Sequence, residues 1–321
     1  MISLMDLQDI LRISTFKHES QMMIETLLEF PSQGTTCRGV LYTPNADSRS
    51  LPCVVMAHGF GLTHASGLAP FKEAFCNASY AVFAFDYRHF GESDGQPRQT
   101  LSPWKEVADW LAALNFARQL DRIDGSRICL WGTSFSGGLV IAAAAKDGRV
   151  QCTISQCPMV DGLASLLGVI GYAGLMQAIR LTYHGTVDWL RRGLGMSPRY
   201  IASAGRPGEL GMMTAEDCKD GYVPLLADNA SNYVAAGVSY AIPFFRPIRL
   251  ASKVACPALV LICEQDTVAP ASAAAKAAER MPNSEVKHYP VGHFDVYRGE
   301  ALIQSIEDQL DFLARSISTT R

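Results

Sequence analysis

Residues 132–137, Gly132-Thr133-Ser134-Phe135-Ser136-Gly137, follow the apolar run Ile128-Cys129-Leu130-Trp131 and lead into an Ala-rich stretch. A chain that passes from a strand into a helix through one residue holds that residue in strained backbone geometry. Only small neighbours two positions to either side let the two elements pass. Gly132 and Ser136 are those neighbours, although the usual pattern has glycine at the second position, and here glycines come at 137 and 138. Such a turn lifts the Ser134 hydroxyl above the sheet edge. It also turns the backbone N–H of Phe135 toward the same space from a helix N-terminus.

The order of other reactive residues narrows the reading. Ala258–Cys263 reads as a buried strand running into Glu264-Gln265-Asp266, which puts Asp266 on the loop after a strand end. A second strand, Val286-Lys287-His288-Tyr289, leads to Val291-Gly292-His293-Phe294-Asp295. Serine, then aspartate, then histidine is the chain order of an α/β-hydrolase triad, and the chain resembles that superfamily. Two further segments carry the resemblance. His58-Gly59-Phe60-Gly61 follows the strand Cys53–Ala57, where those enzymes place a second oxyanion donor, and Phe85–Gly95 resembles the loop after their next strand. The likeness runs over roughly residues 22 to 316 and is closest to the dienelactone-hydrolase-like and serine-aminopeptidase-like esterase branches. It implies an α/β fold with a mostly parallel eight-stranded sheet, helices on both faces and an inserted, mainly helical cap. It also implies that the backbone N–H groups of Phe60 and Phe135 form the oxyanion hole.

The roles follow from acid–base chemistry. A serine hydroxyl is a poor nucleophile at neutral pH and needs a base within hydrogen-bond reach; an imidazole can take its proton and return it. His293 is expected to be that base, and Asp266 to bond its other ring nitrogen and fix the tautomer. Asp161, after the sixth strand, is the second choice for the acid, and Glu264 lies two residues early. His288 sits within a strand and reads as structural, while His58, His64, His89 and His184 fall in loops or the cap without an adjacent acid. Asp86 and Asp295 read as local hydrogen-bonding groups.

From residue 51 strands and helices alternate: 51–57, 68–79, 80–86, 103–120, 127–133, 135–147 and 150–156. That pattern implies a parallel sheet covered on both faces. Met22–Phe30 and Cys37–Tyr42 flank Pro31-Ser32-Gln33-Gly34 as an antiparallel hairpin. In the helix at 103–120, Ser102 is the expected N-cap and Pro103 the first residue, with Trp104, Val107, Ala108, Leu111 and Leu114 on one face. Alternation stops over 158–257, far longer than an ordinary connection, so this segment is expected to be the cap, with the core formed by 21–157 and 258–321 and residues 1–20 an N-terminal helix or arm. Six of eleven tyrosines (172, 183, 200, 222, 233, 240) fall in the cap with Trp189, Phe244 and Phe245, residues suited to a pocket wall and equally to the cap's own core.

Composition fits one large α/β enzyme: 321 residues, 48% hydrophobic and 18% charged. A net charge of −3 offers no broad basic surface for nucleic acid, and no apolar run reaches the roughly 18 residues of a membrane span. The N-terminal stretch carries Asp6 and Asp9 and lacks a basic leader, which points to the cytoplasm. The nine cysteines form no C-x-x-C pair and read as reduced core residues, with Cys157 and Cys263 near the catalytic edge. No dinucleotide, Walker or zinc-binding pattern occurs, so no cofactor and no metal is expected. The expected partner is a small-molecule acyl substrate, and a homo-oligomer is left open. Hydrolysis of an ester or thioester is the leading expectation. The rivals are acyl transfer to another acceptor, a peptidase using Glu209, Glu216 or Asp217 to hold a free amine, and a ligand-binding protein without turnover.

Overall fold

The computed structural model describes residues 23–45 and 50–317. The expected N-terminal arm, residues 1–20, lies outside the described residues. Eight strands form the central sheet: β1 (Ile24–Ser32), β2 (Thr35–Thr43), β3 (Leu51–Ala57), β4 (Ala81–Phe85), β5 (Ile123–Thr133), β6 (Cys152–Gln156), β10 (Ala258–Cys263) and β11 (Ser284–Tyr289). Their order is β1-β2-β4-β3-β5-β6-β10-β11. β2 runs antiparallel to both β1 and β4, and every other pairing is parallel. This is the α/β-hydrolase arrangement, a largely parallel sheet with one antiparallel edge.

Residues in β3, β4 and β10 are buried along their whole length, because both sheet faces are covered. Successive side chains go to opposite layers. Val55, Phe83, Leu130 and Val260 pack with helices α2 (Pro103–Ala117), α3 (Phe135–Asp147) and α8 (Ala271–Arg280). Val54, Val82, Trp131 and Leu259 pack with α1 (Ala69–Asn77) and α9 (Gly299–Ser316).

Helix α2 departs from its expected face. Trp104 is 53% exposed, and the buried side carries Glu106, Val107, Asp109, Trp110, Ala113, Leu114 and Ala117. The cause is a buried polar set that apolar periodicity cannot register. Asp109 accepts from Arg88 Nη2 at 2.6 Å and Nε at 2.9 Å, and Trp110 Nε1 donates to the Tyr87 hydroxyl at 2.9 Å. Turning the helix to satisfy these groups costs less than leaving a buried carboxylate unpaired. Pro103 opens the helix as expected, but the Ser102 side chain makes no capping bond.

Between β6 and β10 lie α4 (Gly162–Ala173), α5 (Leu175–Gly193), α6 (Cys218–Tyr222) and α7 (Val238–Ala241), together with four short 3-10 turns. The segment also holds a small sheet in the order β8-β7-β9, made of β7 (Tyr200–Ala204), β8 (Gly211–Met213) and β9 (Tyr233–Ala235). Its strands of three to five residues are too short to show alternation in sequence. Among the described residues no helix is long and apolar enough to cross a membrane.

Candidate active site

The site begins at the junction of β5 and α3. Ser134 is the single residue between them and adopts φ 57°, ψ −121°, a left-handed φ that a side chain makes costly. A Cβ on Gly132 would lie 2.4 Å from the Ser136 carbonyl oxygen, so the strand can turn back against the helix only without a side chain there. Ser136 is tolerated where glycine is usual because its hydroxyl is buried at 2.7 Å from that of Tyr87. The turn is pinned from below: Ser134 N–H donates to the Gln156 carbonyl at 2.8 Å, and Met159 N–H to the Ser134 carbonyl at 2.9 Å.

β10 and β11 are parallel neighbours, so the loops leaving their C-terminal ends lie side by side. Asp266 follows β10 and His293 follows β11. His293 Nδ1 is 2.6 Å from Asp266 Oδ2, and His293 Nε2 is 2.9 Å from Ser134 Oγ. An ionised carboxylate only accepts, so Nδ1 carries the proton and Nε2 is free to accept from the serine. Asp266 is itself fixed, its Oδ1 accepting the N–H groups of Val268 at 2.8 Å and Ala269 at 2.6 Å. Both side chains are buried, His293 2% and Asp266 1% exposed. Burial disfavours the imidazolium, but the adjacent Asp266 carboxylate and Cys157 sulfur together outweigh it, and the His293 pKa stands well above its ordinary value. Burial also pushes the Asp266 carboxyl upward, with His293 pulling against it.

Phe60 and Phe135 border the same space as Ser134, their rings edge to face with centroids 5.7 Å apart. A Cβ on Gly59 would sit 3.4 Å from Ser134 Cβ, so the loop after β3 crosses directly over the serine. The Phe135 N–H opens α3, where helix geometry leaves it without an intrahelical acceptor. The Tyr222 hydroxyl reaches in from α6 and donates to the Phe60 carbonyl at 2.9 Å.

Above Ser134 is a cavity of about 310 Å³ walled by the β6–β10 segment. Leu166, Val169, Leu181, Met212, Ile242 and Phe244 are among its lining residues, and no charged side chain is. Of the aromatics singled out in 158–257, Tyr172, Tyr240 and Phe244 line it. Tyr183 and Trp189 are exposed, at 64% and 67%, on the outside.

The rival residues have other partners. Asp161 caps α4 and holds Arg246 through contacts of 2.8 and 2.6 Å. Glu264 is exposed, 3.3 Å from His288. Asp86 braces a loop, accepting the N–H groups of His64 at 2.6 Å and Glu92 at 2.9 Å, and Asp295 accepts the Gly292 N–H at 3.0 Å. Contrary to the sequence expectation, His64 and His58 do have an acid neighbour, Asp86, at 3.1 and 4.0 Å. Glu209 pairs with Lys219 and Asp217 accepts from Thr267, and neither they nor Glu216 line the cavity.

Sequence reasoning missed the support beneath the serine. Trp131 Nε1 donates to Gln309 Oε1, Gln309 Nε2 to Gln156 Oε1 at 2.9 Å, and Gln156 Nε2 to Thr133 Oγ1 at 3.2 Å; Thr133 is bonded in turn to the Tyr297 hydroxyl. These residues come from four distant stretches, and nothing local marks them as a set. Cys157, at φ 35°, joins the site from β6: its Sγ and one ligand atom each of Asp266 and His293 lie within 4.8 Å of one another. That trio has metal-ligating chemistry, but both His293 nitrogens are already engaged by Asp266 and Ser134, which leaves no free imidazole lone pair for a cation.

Comparison with known proteins bears on the same region. The model of the "Alpha/beta hydrolase family" matches residues 54–304. The chain is 39% identical over 292 residues to the "Quorum-quenching protein AidA" of Acinetobacter baumannii (strain MDR-ZJ06), covering 90% of this chain and 94% of that protein. It is 41% identical over 128 residues to "Thiohydrolase aneE" of Aspergillus aculeatus, covering 40% and 39% of the two chains. Among solved structures, DcsB in complex with its substrate analogue superposes with a TM-score of 0.77 at 22% identity, over 92% of this chain and all of that one.

Proposed function

The chain belongs to the alpha/beta hydrolase family, and from that premise we propose that it is a serine hydrolase that cleaves esters or thioesters of largely apolar acyl groups. The observation that carries the proposal is His293 placed between Ser134 and Asp266, at 2.9 and 2.6 Å, with Ser134 lining an uncharged cavity.

In this reading His293 takes the Ser134 proton as Oγ attacks the acyl carbon, and Asp266 stabilises the imidazolium that forms. The N–H groups of Phe60 and Phe135 receive the developing oxyanion, each donor worth about 3–4 kcal/mol. His293 then protonates the leaving alcohol or thiol, and a water activated by the same base releases the acid. The segment 158–257 serves as the cap that encloses the acyl chain. The names borne by similar proteins, a thiohydrolase and a quorum-quenching protein, fit a small acyl substrate. A peptidase finds less support, because the cavity presents no carboxylate to a free amine. Acyl transfer to an alcohol or amine would use the same intermediate.

The test is labelling of the purified protein by a fluorophosphonate, read by intact mass beside Ser134→Ala. One adduct that disappears in the variant is the expected result, with release of p-nitrophenol from acyl esters by the native chain alone. A folded native chain that neither labels nor turns over any such ester would sink the proposal. Product analysis with competing alcohols and amines separates hydrolysis from acyl transfer.

A further inference from the structure

Helices α4 and α5 form a hairpin over the cavity, and its outer surface is unlike the rest of the protein. Eleven of the eighteen large apolar side chains exposed among the described residues fall within 162–196. Leu167 is 60% exposed, Leu175 62%, Met176 66% and Ile179 51%. Helix α4 is a wall one helix thick: Ser165, Leu166, Val169 and Tyr172 line the cavity, while Leu163 and Leu167 face outward. Soluble monomers rarely leave so continuous an apolar patch uncovered.

The charges around the patch that lack an ion-pair partner among the described residues have one sign. On α5, Gln177, Leu181, Gly185 and Asp188 are buried, and at 3.6 residues per turn Leu175, Met176, Ile179, Tyr183 and Leu190 fall on the opposite arc. Arg180 and Arg191, eleven residues and close to three turns apart, share one flank of that arc. They hydrogen-bond the carbonyls of Gly208 at 3.0 Å and Ser197 at 2.8 Å, and neither has a carboxylate partner among the described residues. The acids of the hairpin are taken: Asp188 is buried against Arg192 at 3.0 Å, and Asp161 holds Arg246. Nearby Glu209 is paired with Lys219.

An apolar arc flanked by unpaired arginines is the pattern of a helix lying in a lipid interface. We infer that the α4–α5 hairpin docks on an anionic lipid surface and sets the cavity wall against the layer into which apolar acyl substrates partition. A second copy of the chain fits less well, because the acids of this hairpin are already paired and the same face offers no anionic surface to Arg180 and Arg191. The inference goes beyond the hydrolytic reading, and vesicle binding can be measured without turnover.

Flotation of the full chain with phosphatidylcholine vesicles, with and without about one-third phosphatidylglycerol, tests it. The native protein is expected to float with the anionic vesicles and much less with the neutral ones. Leu167→Glu combined with Met176→Glu is expected to lower the bound fraction about tenfold, and Arg180→Gln combined with Arg191→Gln to remove the preference for anionic lipid. All these positions lie outside the cavity lining, so turnover of a short water-soluble ester is the check that the variants fold. Native protein that stays in the aqueous fraction with both vesicles overturns the inference. So does a dimer in solution that the glutamate pair dissolves while neither form floats. Flotation as expected by a chain that turns over no ester upholds the inference and defeats the hydrolytic reading alone.

Discussion

Tyr222 donates its hydroxyl to the carbonyl of Phe60 at 2.9 Å, a bond that joins the β6–β10 segment to the loop proposed to supply an oxyanion donor. Both groups are buried, so the bond restricts the backbone at Phe60 where a small rotation would misdirect its N–H. Tyr222→Phe leaves the carbonyl unsatisfied, at a cost of about 1–3 kcal/mol. The expected outcome is a fall in kcat of about tenfold with KM little changed, measured on a p-nitrophenyl ester; an unchanged kcat would mean that the loop holds its position without the bond.

The pH profile tests the Asp266–His293 pair. In the proposed mechanism catalysis needs neutral His293, whose pKa is raised by Asp266 and Cys157, so the acid limb of kcat/KM should lie above the ordinary imidazole value of about 6.5. Asp266→Asn is expected to move that limb to lower pH and to cut kcat by about 10⁴. Linkage gives a stability effect of defined sign. The folded chain binds this proton more tightly than the unfolded one, so the contribution is complete below the unfolded pKa and is lost as pH rises through the folded pKa. Denaturant midpoints across that range check it.

Away from the site, the Arg88–Asp109 pair is a stability determinant. Both residues are buried, with Arg88 Nη2 2.6 Å from Asp109 Oδ1. Removing one member strands the other charge, and Asp109→Ala is expected to lower unfolding free energy by about 3–5 kcal/mol. Urea denaturation measures it, and a loss below about 1 kcal/mol would show that water enters to solvate Arg88.

Under the proposed function, cavity size sets an acyl limit. At about 310 Å³ the space lies at the lower end of small-molecule pockets. Val169→Trp, which adds bulk to the α4 wall, is expected to raise KM for long-chain esters while sparing acetates. A uniform change over the chain-length series would place the acyl group elsewhere.

Where sequence reading succeeded, a strong local constraint was present. The elbow at Ser134 needs small residues at fixed offsets, and β10 announces itself by an unbroken apolar run, Ala258–Cys263, that ends just before the loop carrying Asp266. It failed where the constraint is between partners far apart in the chain. Helix α2 faces the core with Asp109 and Trp110 rather than Trp104, because Arg88 and Tyr87 lie beneath it. The bond from Tyr222 to Phe60 spans 162 positions, and the three short strands β7–β9 carry too few residues to show a period.

Ser134 and the base proposed for it, His293, are separated by 159 positions, and Gln309, which is bonded to Gln156, lies further on. During synthesis, therefore, Ser134 emerges and can enter its turn long before residue 293 exists. On the proposed mechanism a nascent chain holds an inert hydroxyl in place of an activated one, and hydrolytic competence arrives late and all at once. Acyl turnover thus reports completion of the fold, and a chain cut short before β11 should be silent however well its first half has formed.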